Sequence, residues 1–437
     1  MTNKEYKIQE NESHGRLDAI SLVFGEGFPE RYKNSVAHWG NFSREELHQK
    51  NEEGIEKLLH LDIDFGNSCS LRCPHCFRRD DRFDSSKDQS FLNEEEIKGY
   101  LLEAKKLGLK SVKFLGRGEP FENPKFLGFL EWLTNNEIHA AIFTKGHVIG
   151  SDELAIKYNS QYGINSGQDL ADRLKELDVS ILLGFNSFDK TMQENFIGND
   201  QIKNREIKDK YTEVRDTALI RLVKSGLNEY KKGEPTRLAM ISAPIKPENI
   251  DEIFEIYQWG RKRNIYALSC PSTNSGKGID ETGRVRQHKE FITDLKNLYT
   301  KIYIWNIENN LMTLEEFKEE GVSLYPGCHP CTQTAAGMYL TLSGKVVRCP
   351  GRADKKSTFS EDIRKEGLTN IWIHSENYRR AQGKIKSPEG NGLNYHCPAR
   401  DWEADNGQKS IPRGFYEDIK KRVIDYFSSK REKSHAN

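Results

Sequence analysis

The decisive stretch is Leu58-Leu59-His60-Leu61-Asp62-Ile63-Asp64-Phe65 followed by Gly66-Asn67-Ser68-Cys69-Ser70-Leu71-Arg72-Cys73-Pro74-His75-Cys76. Its first half has the alternation and composition of a strand. Its second half packs three cysteines into a short loop. Asn93-Glu94-Glu95-Glu96 then opens a helix, with Asn93 as N-cap and acids in the first turn, and the helix runs to Leu107-Gly108. The order strand, cysteine loop, helix reads as one β/α unit whose loop carries chemistry.

Working outward, the unit repeats. Strands are predicted at 111–115, 138–144, 179–185, 237–242 and 265–269, and helices at 124–135, 169–177, 211–227 and 249–263. Six such units, counting the final strand, predict a parallel sheet covered by helices. Right-handed crossovers make an open or closed barrel the simplest architecture. Segments 151–168 and 199–209 read as insertions. The expected fold is α/β: a partial (β/α)6 TIM-like barrel over residues 56–275. An N-terminal extension (1–55) precedes it. A linker and helix (276–326), a cysteine-bearing region (327–403) and a C-terminal helix and tail (404–437) follow.

With 437 residues the chain is long enough for two or three domains and a large core. The formal charge is zero, so no nucleic-acid or anionic-membrane partner is expected. No apolar run has the length of a membrane span, and residues 1–15 lack a signal-peptide core. The expected compartment is the cytoplasm. Eight cysteines in a chain of this size are then expected to bind metal or to catalyse rather than to pair.

Cys69, Cys73 and Cys76 can supply three thiolates to a cubic [4Fe–4S] cluster, leaving one iron open to a small molecule. The alternative is a zinc site completed by His75 or His60, although structural zinc usually draws two separated pairs of ligands. The CxxxCxxC triad after a first strand resembles the radical S-adenosylmethionine (radical SAM) superfamily. The resemblance implies that the open iron binds the amino and carboxylate groups of S-adenosylmethionine and that His75 lies near adenine.

Further matches sit at later strand ends. Leu115-Gly116-Arg117-Gly118-Glu119-Pro120 resembles the family's Gly-Gly-Glu-Pro motif, with Arg117 in place of one glycine. By that resemblance Gly118, Glu119 and Pro120 hold the amino group of the methionyl moiety. A carboxylate accepts from an ammonium, and glycine permits close backbone approach. The resemblance also places Thr144, in Thr144-Lys145-Gly146, and Asn186 and Ser187 near the cofactor's carboxylate and ribose. All three are also ordinary turn residues. The Asp-Gly pair and following Arg that many relatives carry after the fourth strand have no counterpart in the sequence.

The second cysteine region holds Cys328, Cys331, Cys349 and Cys397. Residues 338–342 and 345–347 read as a hairpin turning at Ser343-Gly344. Four thiolates complete a zinc site or an iron–sulfur site. The spacing resembles the Twitch/SPASM extension of radical SAM enzymes. Four cysteines imply one auxiliary [4Fe–4S] cluster with no open iron, which favours electron transfer. Cys270 reads either as a buried small hydrophobe or as a thiol facing the reaction centre. His139, His147 and His288 read as structural.

The resemblance implies reductive cleavage of S-adenosylmethionine, hydrogen abstraction by a 5′-deoxyadenosyl radical, and a reducing partner such as flavodoxin or ferredoxin. The first expectation is oxidation of a small hydroxylated substrate, such as a sugar or cyclitol, with the auxiliary cluster accepting the electron. The second is modification of a peptide or protein. A third, an electron carrier or zinc-stabilised binding module, leaves the Gly118-Glu119-Pro120 match without a reason.

Overall fold

The computed structural model describes residues 12–30, 32, 41–77, 91–115, 117–272, 275–278, 289–347, 350–351, 358–375 and 414–435. Six strands follow one another in a parallel run: β1 (His60–Ile63), β2 (Ser111–Phe114), β3 (His139–Thr144), β4 (Ser180–Gly184), β5 (Leu238–Ile245) and β6 (Tyr266–Pro271). Each pairs with its sequence neighbour. The sheet stays open, so the expected partial barrel is what forms.

Helices α1 (Glu94–Lys106), α2 (Phe126–Asn135), α3 (His147–Gly150), α4 (Asp152–Asn159), α5 (Gly167–Glu176), α6 (Lys190–Phe196), α7 (Tyr211–Lys224) and α8 (Ile250–Lys262) connect them. The Asn93 side chain accepts from the Glu96 N–H while Glu96 reaches back, a capping box that fixes the start of α1. The segment 151–168 contributes α4, capped by Ser151, and the start of α5, capped by Ser166. Leu61 and Ile63 join the core under the helices, whereas His60 and Asp62 alternate to the other face. Inside the barrel, Ala141, Leu182, Ala239, Ile241, Tyr266 and Leu268 pack with Cys328.

Beyond the barrel come α9 (Lys289–Glu308) and α10 (Leu314–Glu320). They build a second core with α8 and the helix at Phe415–His435. Next are α11 (Gln333–Ala336), β7 (Gly337–Leu340), β8 (Lys345–Val347), β9 (Thr358–Asp362), α12 (Ile363–Glu366) and α13 (Leu368–His374). The closing helix is α14 (Phe415–His435). The anticipated hairpin β7–β8 is antiparallel, and its first strand pairs in parallel with β1, His60 opposite Gly337. One nine-stranded sheet, ordered β6-β5-β4-β3-β2-β1-β7-β8-β9, therefore runs through both cysteine-bearing parts. Asp64 locks the junction by accepting from the Tyr339 hydroxyl (2.7 Å) and the Leu342 N–H (3.3 Å). No helix among the described residues is long and apolar enough to cross a membrane.

Candidate active site at the barrel mouth

The loop 66–77 leaves β1 at the C-terminal end of the sheet, where β/α barrels place their chemistry. Neighbouring loops pin it by its backbone. The Glu119 N–H donates to Ser68 O (2.7 Å), and the Ser70 N–H donates to Glu122 Oε1 (2.8 Å). The Arg72 N–H donates to Ile197 O (3.0 Å), and the Lys277 N–H donates to Cys76 O (3.0 Å). Residues 275–277, at the expected junction of barrel and linker, thus pack against the cysteine loop. Gly118 is there for the loop: a Cβ on it would lie 2.1 Å from Ser68 O. The sequence reading reserved that room for a ligand, but the protein's own backbone fills it.

Cys69, Cys73 and Cys76 line one cavity of about 860 Å³. Burial pushes the Cys69 thiol well up, and Cys73, Glu122 and Glu119 add to the push. Thiolates that repel each other are stabilised when a cation binds among them, and three thiols on one loop are the donor type that a [4Fe–4S] cluster takes. His75 lines the same cavity and is buried. Its Nδ1 has no hydrogen-bond partner among the described residues. Burial, then Lys246 and Lys145, hold the ring well below its ordinary pKa, so it is neutral. A neutral ring with an unused nitrogen suits a ligand's polar edge.

Glu119 also lines the cavity. Its carboxylate accepts from the Thr144 hydroxyl (2.5 Å) and the Lys145 N–H (2.9 Å). Burial nevertheless pushes its pKa above the usual 4.5, more than His147, Thr144 and Lys145 pull it down. An ammonium arriving beside it would relieve that penalty. Thr144 thus serves Glu119, and neither it nor Pro120 lines the cavity.

Asn186 and Ser187 are buried and do not line the cavity either. The Ser187 hydroxyl donates to Glu252 Oε2 (2.7 Å), and both residues' N–H groups donate to Gln193 Oε1. Arg215, stacked 3.7 Å over Phe185, donates to Ser187 O and Gln193 Oε1. The turn after β4 pairs most of its own polar groups, and among the described residues Asn186 Oδ1 and Gln193 Nε2 are left without a hydrogen-bond partner.

Three further residues shape the site. Glu122 accepts from Ser70 and from His147 Nε2 (2.7 Å), a buried pair that steadies the cysteine loop. Lys145 lines the cavity and lies across Gly184, where a Cβ would meet its Nζ at 2.7 Å. A glycine ending β4 opposite a lysine was the available signal. Arg117 lines the cavity with its guanidinium 5.5 Å from the Phe91 ring centroid.

Cys328 and Cys331 line this same cavity, as do Pro350 and Gly351. Cys349 and Cys397 lie outside the described residues. Cys270, at the end of β6, is buried and lines the cavity as well.

Fold and mouth define the class: a β/α-barrel enzyme with three thiols of one loop lining a cavity. Residues 63–260 match the family model described as Radical SAM superfamily, so the barrel is a radical SAM domain. The cofactors that go with it are a [4Fe–4S] cluster and S-adenosylmethionine. No curated protein matches the chain in sequence. Among solved structures, a tagged form of anSMEcpe with bound AdoMet is similar at 14% identity and TM-score 0.54, covering 85% of this chain and 93% of that one. Native anSMEcpe with bound AdoMet and Cp18Cys peptide gives 13% identity and TM-score 0.52, covering 85% and 97%. Streptococcus suis SuiB bound to S-adenosylmethionine gives 17% identity and TM-score 0.42, covering 76% and 66%. At these identities the likeness to anSMEcpe is one of fold.

Proposed function

We propose that this enzyme oxidises a small hydroxylated substrate, such as a sugar or cyclitol. Cys69, Cys73 and Cys76 hold the [4Fe–4S] cluster that binds S-adenosylmethionine. Cys328, Cys331, Cys349 and Cys397 hold an auxiliary [4Fe–4S] cluster of Twitch/SPASM type that accepts the electron. The observation that carries this reading is the single cavity lined by the triad and by Cys328 and Cys331 together. When bound, the cluster and cofactor supply a 5′-deoxyadenosyl radical that takes hydrogen from a substrate carbon.

The chain's own residues do the rest. Glu119, oriented by Thr144 and the Lys145 N–H, receives the methionyl ammonium. The Lys145 side chain supplies a cation for the carboxylate, a role for which the sequence offered no arginine. His75 offers its unused Nδ1 to the adenine edge. Phe143, Leu182, Ile241 and Leu268 give the cavity apolar walls that exclude water. The volume sits within the roughly 300–1,000 Å³ typical of small-molecule sites, and two clusters and a cofactor must share it. A flavodoxin or ferredoxin in the cytoplasm provides the reducing electron.

The second reading is modification of a peptide. It is favoured by the bound Cp18Cys peptide in the anSMEcpe relative. Anaerobic reconstitution with dithionite should yield iron, sulfide and 5′-deoxyadenosine from S-adenosylmethionine. Release no greater than that of a Cys69→Ala, Cys73→Ala, Cys76→Ala variant would overturn the proposal. Deuterium passing into 5′-deoxyadenosine from perdeuterated polyols and aminocyclitols, and not from deuterated peptides, separates the two readings.

A further inference from the structure

The rear wall of the cavity holds a polar side chain with no part in cofactor binding. Gln333 is 7% exposed and lines the cavity from the segment that leads into β7. Its Oε1 accepts from Lys113 Nζ (3.3 Å). An ammonium only donates, so the amide oxygen has to face Lys113 and the NH2 end has to face away from it. That Nε2 has no hydrogen-bond partner among the described residues. A buried donor with nothing to accept from it costs free energy until a partner arrives.

The surroundings hold the amide in place. Lys113 Nζ lies 3.0 Å from Asp62 Oδ1 on the adjacent strand, and His60 Nε2 is 3.3 Å from the same oxygen. Ala335 and Ala336, on the turn that Gln333 opens, pack with Phe42, Leu47 and Leu59. His60 opens β1 opposite Gly337, whereas the triad follows the other end of β1. Gln333 therefore belongs to the floor of the lumen, facing the cofactor site across it. Charge decides what this floor accepts. The Lys113 ammonium is already matched by the Asp62 carboxylate, and Glu45, from the N-terminal segment, brings another carboxylate to the cavity wall. A carboxylate or phosphate would find no unmatched cation here. An uncharged oxygen needs only the donor that Gln333 offers.

We propose that Gln333 is a substrate-binding residue whose Nε2–H donates to one uncharged hydroxyl oxygen of the substrate, and so fixes which carbon is presented to the adenosyl radical. This rests on the reading above that a hydroxylated substrate is oxidised in this cavity. Lys113 and Asp62 act through Gln333, as positioning residues that keep its amide in one orientation. Selectivity follows from the asymmetry of buried hydrogen bonds. An analogue without that hydroxyl leaves the N–H unpaired, and the site rejects it.

The test uses the reconstituted full chain and the perdeuterated polyols and aminocyclitols named above, each compared with analogues lacking one hydroxyl. In the unaltered enzyme, loss of one particular hydroxyl should cut kcat/KM for deuterium transfer about tenfold or more. In Gln333→Met, of similar length and without a donor, that preference should shrink by about the same factor. Gln333→Asn, which draws the same amide back by one methylene, should lose most of it as well. The preference is a ratio within each variant, so a general loss of folding or of cofactor cancels from it. Should Gln333→Met not fold, Gln333→Asn decides alone. An unaltered enzyme indifferent to every hydroxyl, or a preference that survives the substitutions, overturns the inference and leaves the oxidation standing. A surviving preference joined to a changed electron paramagnetic resonance signal from the C-terminal cysteines would assign the N–H to a cluster sulfur instead. No deuterium transfer from any probe overturns the oxidation reading itself, and the inference with it.

Discussion

The two cysteine regions solve one problem in different ways. The triad sits on a single loop, and backbone hydrogen bonds from the loops after β2, α6 and β6 hold it in shape. Cys328 and Cys331 enter the barrel from a distant segment and are set among charged side chains. The first site is defined by shape, so its weak points are atoms that would collide. The second is defined by charge, so its weak points are groups that would lose a partner.

Replacing any one of Cys69, Cys73 or Cys76 by alanine should break the comparison most severely. Formation of 5′-deoxyadenosine is expected to fall to background in an anaerobic assay, while iron at the C-terminal cysteines persists. The next largest effect is on acid stability, deep in the barrel. His139 is buried beside Ser180 and Arg237, and burial, then Arg237 and His60, lower its pKa from 6.5 to about 3. The unfolded chain takes up that proton first. The stability that neutral His139 allows is full above pH 6.5 and is lost as pH falls toward 3, on the order of 5 kcal/mol in all. Denaturant titrations from pH 7 to 4 should show this slope, and His139→Gln should flatten it.

Gly118→Ala tests the shape-defined site. Its Cβ meets Ser68 O, and a loss of about 2–3 kcal/mol is expected from denaturant unfolding. Iron should drop at the triad and not at the C-terminal cysteines. The smallest effect is expected for Thr144→Val, which removes one hydrogen bond to Glu119. A rise in KM for S-adenosylmethionine of roughly tenfold, about 1.4 kcal/mol, is the outcome to check by initial rates.

The barrel was legible because buried parallel strands write themselves as short apolar runs and helices announce their caps, Asn93 among them. The triad was legible because its spacing is local. The pairing of β7 with β1 was not, since nothing in a strand's own residues names a partner 277 positions away. Glu122 and Lys145 stayed hidden for a related reason: their partners, Ser70 and Gly184, lie on other units. Asn186 and Ser187 stand at a strand end, and position alone does not say which way a side chain turns. The structure shows their polar groups turned inward, to Gln193, Glu252 and Ala243.

The parallel seam between β1 and β7 has a consequence for synthesis. β1 leaves the ribosome early, and β2 soon covers one of its edges. The other edge waits for Gly337, which follows His60 by 277 residues. At about 5–20 residues per second that is roughly 15–55 s with a row of backbone donors and acceptors exposed. A nascent chain stalled before that point carries an adhesive edge directly beneath its three cysteines. Chaperone demand should therefore peak just before β7 emerges and fall once it docks.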